Sequence, residues 1–360
     1  MIIKKVMVFA FAIFLSASVS AQQTVYLSRI SQLQSAIDQN LRAKKASLYY
    51  ETTDSIKNAN KYSWLWPLCA YIQATNEVEV LKRREKAMKP VVKAIDKYWI
   101  NTEPVPAYQA YVTKEKVTTK YYDDNQWIAI AYMDAFCRNR KRKYLKESKK
   151  IYDFMLFGLD SVAGGGIYWR EKDFTTKNTC SNGPGVLVAL KLYQQNPKKT
   201  AYLTTAIDVY DWTKKHLQSP EGVYWDNIQI PSLKINKNTY AYNSGTMLQS
   251  AVILYNITKD AKYLQEAKRV AKASRAHFFK NGRLPNEYWF NAVMLRGFLE
   301  LYKIDKNPNW INFFKTDADA IWEKERDGNN LVGTRSEKRL IDQAAMIEIY
   351  ALLAQAENYN

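Results

Sequence analysis

From Asp123 onward the chain returns repeatedly to one pattern. A run apolar on most of its faces leads through a short polar turn to a segment that opens on an aromatic residue and spaces its apolar positions as a helix does. Ile128 to Phe136 leads to Tyr144-Leu145, and Val186 to Tyr193 leads through Gln-Gln-Asn-Pro-Lys-Lys to Tyr202-Leu203. Met247 to Tyr255 precedes Tyr263-Leu264, and Val293 to Tyr302 precedes Trp310-Ile311. The turn length is nearly constant, so each unit reads as a helix hairpin in a repeat architecture. The first helix of each pair is predicted to be inner. The second, with Tyr263, Leu264, Ala267, Val270 and Ala271 on one stripe, is predicted to be outer. A fifth hairpin pairs Trp64 to Ile72 with Val78 to Tyr98, and a sixth combines Leu340 to Ala354 with an N-terminal helix around Ile30 to Tyr50. Six hairpins close into an all-α ring, an α/α toroid, whose natural site is the end where the loops entering the inner helices converge.

The ends and the composition narrow this picture. Residues 1–21 carry Lys4 and Lys5, an apolar run from Val6 to Leu15 and the small residues Ser16 to Ala21, the plan of a secretory signal peptide. The run is about ten residues long, against the roughly 20 that a membrane-crossing helix needs. Residues 22–360 are expected to form one domain, since no Pro/Gly/Ser-rich linker divides them. Gln22 and Gln23 follow the expected cut, so no Cys is placed there for a lipid anchor. The expectation is an exported monomer, periplasmic or extracellular, without a stable membrane anchor. Cys69, Cys137 and Cys180 are too few for a disulfide framework and are expected to be small buried hydrophobes. The net charge of +18 raises nucleic acid as a partner. Export argues against it, and the densest cluster, Arg138 to Lys143 with Lys146, Lys149 and Lys150, reads as a solvated turn and helix face. An acidic glycan or an anionic cell surface accounts for the basicity equally well.

Candidate chemistry lies in the loops that precede the inner helices. Gly164-Gly-Gly-Ile-Tyr-Trp169, Gly222-Val-Tyr-Trp225 and Gly282-Arg-Leu-Pro285 lack phosphate-loop spacing and read as strands, turns or short hairpins. Tyr168, Trp169, Tyr224 and Trp225 either stack on sugar rings or pin these loops to the barrel. Only His216 and His277 are present, each at the end of an outer-helix pattern, and no metal-binding spacing or catalytic triad is visible, so no metal or cofactor is expected. Carboxylates remain. Tyr121-Tyr-Asp-Asp-Asn-Gln-Trp127 sets Asp123 and Asp124 among aromatics at the start of an inner helix. One Asp there could cap the helix. A second adjacent Asp adds like-charge repulsion and raises one pKa, which suits acid/base sugar chemistry.

The segment Tyr121-Tyr-Asp-Asp-Asn-Gln-Trp-Ile-Ala129 resembles the catalytic signature of glycoside hydrolase family 76, the endo-α-1,6-mannanases. Gly164 to Trp169, Lys177-Asn-Thr-Cys-Ser-Asn-Gly183, Thr239-Tyr-Ala-Tyr-Asn-Ser-Gly245 and Lys262 to Ala267 resemble further family motifs in the same order. Cys180, where an aliphatic residue is common, and the stretch from Asn227 to Asn238 depart from the pattern. The resemblance implies an (α/α)6 barrel that cleaves α-mannan or mannooligosaccharides with retention, Asp123 as nucleophile and Asp124 as general acid/base. It also implies substrate contacts from Tyr122, Asn125, Trp169, Asn178, Asn182, Tyr242 and Asn243, and Trp66, just before Pro67 at the predicted start of another inner helix, is placed to face the mouth and stack on a mannose ring. Helix capping is the competing role for the Asn residues, and barrel packing for Trp66, Trp127 and Trp289. Two other readings keep the ring: another toroid chemistry, such as hydrolysis of unsaturated uronides or an epimerase that needs a histidine pair, and a glycan-binding protein without activity.

Overall fold

A computed structural model describes residues 2–54, 58 and 60–359, with side chains from residue 21 onward. The expected signal peptide, residues 1–21, lies almost wholly outside the described side chains. Twelve helices follow in order: α1 (Ile2–Asn40), α2 (Leu65–Leu81), α3 (Met88–Ile95), α4 (Tyr122–Asn139), α5 (Arg142–Leu156), α6 (Thr179–Gln195), α7 (Ala201–Leu217), α8 (Ala241–Thr258), α9 (Ala261–Phe278), α10 (Tyr288–Asp305), α11 (Asn312–Lys324) and α12 (Leu340–Ala356). The even-numbered helices are apolar on nearly every face and almost fully buried, so they can only be satisfied with neighbours on all sides. Each packs on the next, and α12 returns to α2, closing an inner ring. The odd-numbered helices bury one stripe against it. The architecture is the all-α, (α/α)6 toroid that the repeats predict.

The hairpin boundaries differ in two places. Buried positions continue along α2 as far as Val78, so the inner helix runs on to Leu81 and its outer partner begins at Met88. The N-terminal helix ends at Asn40, and the chain then turns through a ribbon of β1 (Arg42–Ala43) and β2 (Leu48–Tyr49). That helix packs on α12, as the sixth hairpin requires. His216 and His277 lie in the last turns of α7 and α9. Cys69 and Cys180 are buried, whereas Cys137 is exposed, a correction to its expected burial.

Strands occur in the connections. β3 (Trp99–Ile100) pairs with β4 (Ala107–Tyr108). The loops entering α6 and α8 supply β5 (Tyr168–Arg170), β6 (Asp173–Asn178), β7 (Trp225–Gln229) and β8 (Ile235–Thr239), joined in that order as one antiparallel sheet. Its β6–β7 register sets Asn178 opposite Asn227. Gly166 makes the approach of β5 possible: its φ is +82°, and a Cβ there would lie 2.5 Å from the Trp212 ring. Within the ring, Arg296 of α10 is buried, hydrogen-bonds Glu348 of α12, and lies 3.7 Å from Asp134 of α4 and 3.9 Å from Glu77 of α2.

Candidate active site

The N-terminal ends of the inner helices meet around a cavity of about 770 Å³. Trp66 comes from α2, Asp123 and Asp124 from α4, Cys180 from α6, Tyr242 from α8 and Phe290 from α10. Strands β6 and β7 add Asn178, Asp226 and Asn227 from one side. The aromatic wall is built by edge contacts and one stack: Trp66 meets Trp289 at 4.5 Å between ring centroids, and Tyr242 lies flat on Phe290 at 4.1 Å.

Asp123 and Asp124 are each 6% exposed in the first turn of α4, where the dipole favours negative charge. Neither is the N-cap. That position is Tyr121, which makes no side-chain capping bond, so the simple capping role does not explain the pair. Their surroundings are unequal. Asp123 Oδ1 accepts from the Asp124 backbone N–H at 3.0 Å, Oδ2 accepts from Trp169 Nε1 at 3.2 Å, and the Cys180 side chain also bonds to this carboxyl. Burial raises the Asp123 pKa, and these three donors oppose the rise. Burial pushes Asp124 well above the ordinary carboxylate range, and the negative charge of Asp123 pushes it in the same direction. No hydrogen bond reaches the Asp124 carboxyl among the described residues. The arrangement favours an ionised Asp123 beside a protonated Asp124. A nucleophile and a proton donor in one site require that division.

Of the other expected contacts, Trp66, Trp169, Asn178 and Tyr242 line the cavity, and Trp169 does so while holding Asp123. Tyr122, Asn125, Asn182 and Asn243 do not, which corrects their assignment. Successive helix side chains point about 100° apart, so the residues beside a cavity-facing position turn toward neighbouring elements. Tyr122 stacks on Phe154 at 4.7 Å. Asn125 is fully buried and ties β4 to α4, accepting from Tyr108 N at 2.9 Å and donating to the carbonyls of Tyr108 and Tyr121. Asn182 clamps the β5 loop through both Ile167 N and Ile167 O. Asn243 is fully buried within the first turn of α8. Trp127 and Trp289 pack together beneath the mouth, and Tyr168 and Tyr224 pin their loops.

Asp226 lines the cavity and stands outside the contacts expected from the sequence. Its carboxyl accepts from Asn227 Nδ2 at 2.8 Å and Asn236 Nδ2 at 3.1 Å, with Asn178 as a further donor, and burial raises its pKa. Its signal was its place directly after Gly222-Val-Tyr-Trp225. Tyr121, Tyr240 and Phe290 also line the cavity. Neither histidine does. Among the described residues, no three His, Cys, Asp or Glu side chains are grouped to hold a metal ion.

Comparison with known proteins places this geometry. The family model described as Glycosyl hydrolase family 76 matches residues 34–287. A mannan endo-1,6-alpha-mannosidase of Candida glabrata is 28% identical over 190 residues, covering 48% of this chain and 42% of that protein, so this chain spans less than half of that relative's length. Among solved structures, a family 76 alpha-mannanase of Bacteroides thetaiotaomicron superposes with a TM-score of 0.85 at 28% identity, covering 93% of this chain and 96% of the other. A family 76 mannosidase from the same species gives 0.84 at 26% identity, over 92% and 99%.

Proposed function

The chain belongs to glycosyl hydrolase family 76, and from that membership we propose that it is an exported, retaining hydrolase of α-1,6-mannosidic bonds in α-mannan or mannooligosaccharides. The observation that carries the reading is the unequal pair at the mouth, an Asp123 supplied with donors beside an Asp124 supplied with none. In the proposed cycle the Asp124 carboxyl gives its proton to the glycosidic oxygen while an Asp123 oxygen attacks the anomeric carbon, so the C–O bond to the leaving sugar breaks as an ester to Asp123 forms. Deprotonated Asp124 then takes a proton from water, whose oxygen displaces Asp123 and regenerates both side chains. Trp66, Trp169, Tyr242 and Phe290 supply faces on which mannose rings stack. The Asp226 group, with Asn178 and Asn227, supplies acceptors and donors for hydroxyls. The mannan-directed relatives named above support the substrate, and the plan of residues 1–21 supports export.

Digestion of linear α-1,6-mannan, with products sized by chromatography, tests the substrate. Shortening to small oligosaccharides is expected, and cleavage of uronide glycans with mannan left intact would overturn it. Proton NMR of the first product tests the stereochemistry, with an α-configured reducing end expected and a β one ruling out retention.

A further inference from the structure

At the end of the barrel away from the cavity, the α4–α5 and α6–α7 turns stand side by side, tied by a 3.1 Å hydrogen bond from Arg140 Nη1 to Gln195 Oε1. Together they expose Arg140, Lys141, Arg142, Lys143, Lys198 and Lys199. Among the described residues none of these six is ion-paired. Cations close by that serve the fold do have partners: Arg138 meets Glu79, and Lys191 meets Asp134. Arg140, Lys143 and Lys199 lie over the rings of Phe136, Tyr144 and Tyr202, whereas Lys141, Arg142 and Lys198 have neither an ion pair nor a ring contact among the described residues. Lys141 stands at the N-cap of α5 without a capping bond, and Arg142 and Lys143 open the helix with no acid in its first turn. The dipole disfavours cations there. Lys198 and Lys199 precede α7 in the same way, again with no acid in the first turn. The contrast is α9, where Asp260 caps the helix by accepting from Lys262 N.

Two further features belong to this end. A groove of about 600 Å³ beside the turns has Phe136 and Leu145 on its walls, framed by Arg140, Arg142, Lys146, Lys149 and Lys150 with Asp153 as its one acid. Helix α1 also enters the barrel here. Gln23 Nε2 donates to Ala354 O at 3.3 Å and to Asn358 Oδ1 at 3.4 Å, at the C-terminal end of α12. No helix among the described residues is long and apolar enough to cross a membrane, so any contact made by this end would be peripheral.

We propose that this basic end rests on an anionic membrane surface, its turns among the phosphate headgroups and the cavity turned away toward the polysaccharide. Each cation held near such a surface strengthens binding by about fivefold, and the effect vanishes beyond a Debye length. The proposal goes beyond the hydrolase reading and does not depend on it.

Vesicle co-sedimentation of the full chain is the test. The chain should pellet at low salt with vesicles containing phosphatidylglycerol and not with pure phosphatidylcholine. Release is expected as salt approaches ~1 M, where the Debye length is about 3 Å. K141Q/R142Q/K143Q, which leaves the Arg140 tie in place, should weaken binding by about a hundredfold, with a melting temperature close to that of the parent. K198Q/K199Q should weaken it by about twentyfold, whereas K234Q/K237Q, an equal charge change on the β7–β8 hairpin beside the cavity, should leave it within about twofold. Equal losses from the two paired variants would mean that net charge acts and no particular face does, and the proposal would fall. Binding that ignores salt or lipid charge would also overturn it, as would retention by a phosphorylated mannan with none by anionic vesicles.

Discussion

At Asp123 and Asp124 the same burial acts on two carboxyls and produces different results, because only Asp123 has donors to offset it. Both pKa values are raised, so the pH profile of kcat/KM should be a bell displaced toward neutral pH. On the proposed mechanism its acid limb reports protonation of Asp123 and its alkaline limb the loss of the Asp124 proton. Replacing Asp124 with Asn should lower kcat by about 10²–10⁴-fold and abolish the alkaline limb. Trp169→Phe is a finer probe. The ring still lies against Tyr121, but the Nε1–H that stabilises ionised Asp123 is gone, so the Asp123 pKa rises and the acid limb moves to higher pH. A lost hydrogen bond to a charged group is worth about 1.5–3 kcal/mol, so kcat/KM on the acid side should fall by roughly tenfold or more. An unmoved acid limb in that variant would show that Trp169 serves only to stack. Asp123 and Asp124 were legible as cavity-lining candidates because two adjacent acids among aromatics stand at a helix start, and one cap would need only one of them. Asp226 was not, because its partners Asn227 and Asn236 lie in a polar stretch that gains meaning only when β7 and β8 pair.

At the level of elements, the hairpin repeat was legible because burial sets composition: helices surrounded by others are apolar all round, and those with one wet face are not. Strands or hairpins are expected in the loops over the mouth, but their joining into one sheet was hidden for the opposite reason. Strands β5–β8 lie in two loops separated by α6 and α7, and their register depends on contacts that no local pattern encodes. Gly245 shows a motif position whose role is packing. A Cβ there would stand 2.5 Å from the Met294 Cα of α10, and Gly297 on α10 approaches the Gly245 carbonyl in return, so α8 and α10 cross almost backbone to backbone. Gly245→Ala should therefore force the helices apart and cost about 1–3 kcal/mol, read as a lower melting temperature. The neighbouring Ser244 Oγ accepts from Tyr224 N at 3.0 Å and so ties α8 to the loop before β7. Activity should fall together with stability, and a variant that melts like the parent would show that the crossing has slack.

Across the whole molecule, closure of the ring leaves an axis that must be filled, and here it holds charge as well as apolar side chains. Arg296 reaches from α10 toward Glu348, Glu77 and Asp134 on three other inner helices, joining four of the six staves at one point. No hairpin considered alone would reveal this group, since each member looks like a lone polar residue in an apolar helix. The desolvated cation is the member whose loss the others cannot absorb. Arg296→Leu would leave Glu348 and Glu77 facing one another in the ring, with Asp134 still held by Lys191, at a cost of about 3–5 kcal/mol and on the order of 10 °C in Tm. Glu348 fixes the sign of the pH dependence. Its pKa is already raised, first by burial, with Arg296 opposing the rise, so removing Arg296 raises it further. A carboxyl with a raised folded-state pKa favours the folded protein at low pH, and that contribution is lost as pH climbs through the folded value. The melting deficit of Arg296→Leu should therefore be largest at alkaline pH and shrink as Glu348 takes up its proton. A deficit that stays constant with pH would show that Arg296 acts by packing alone.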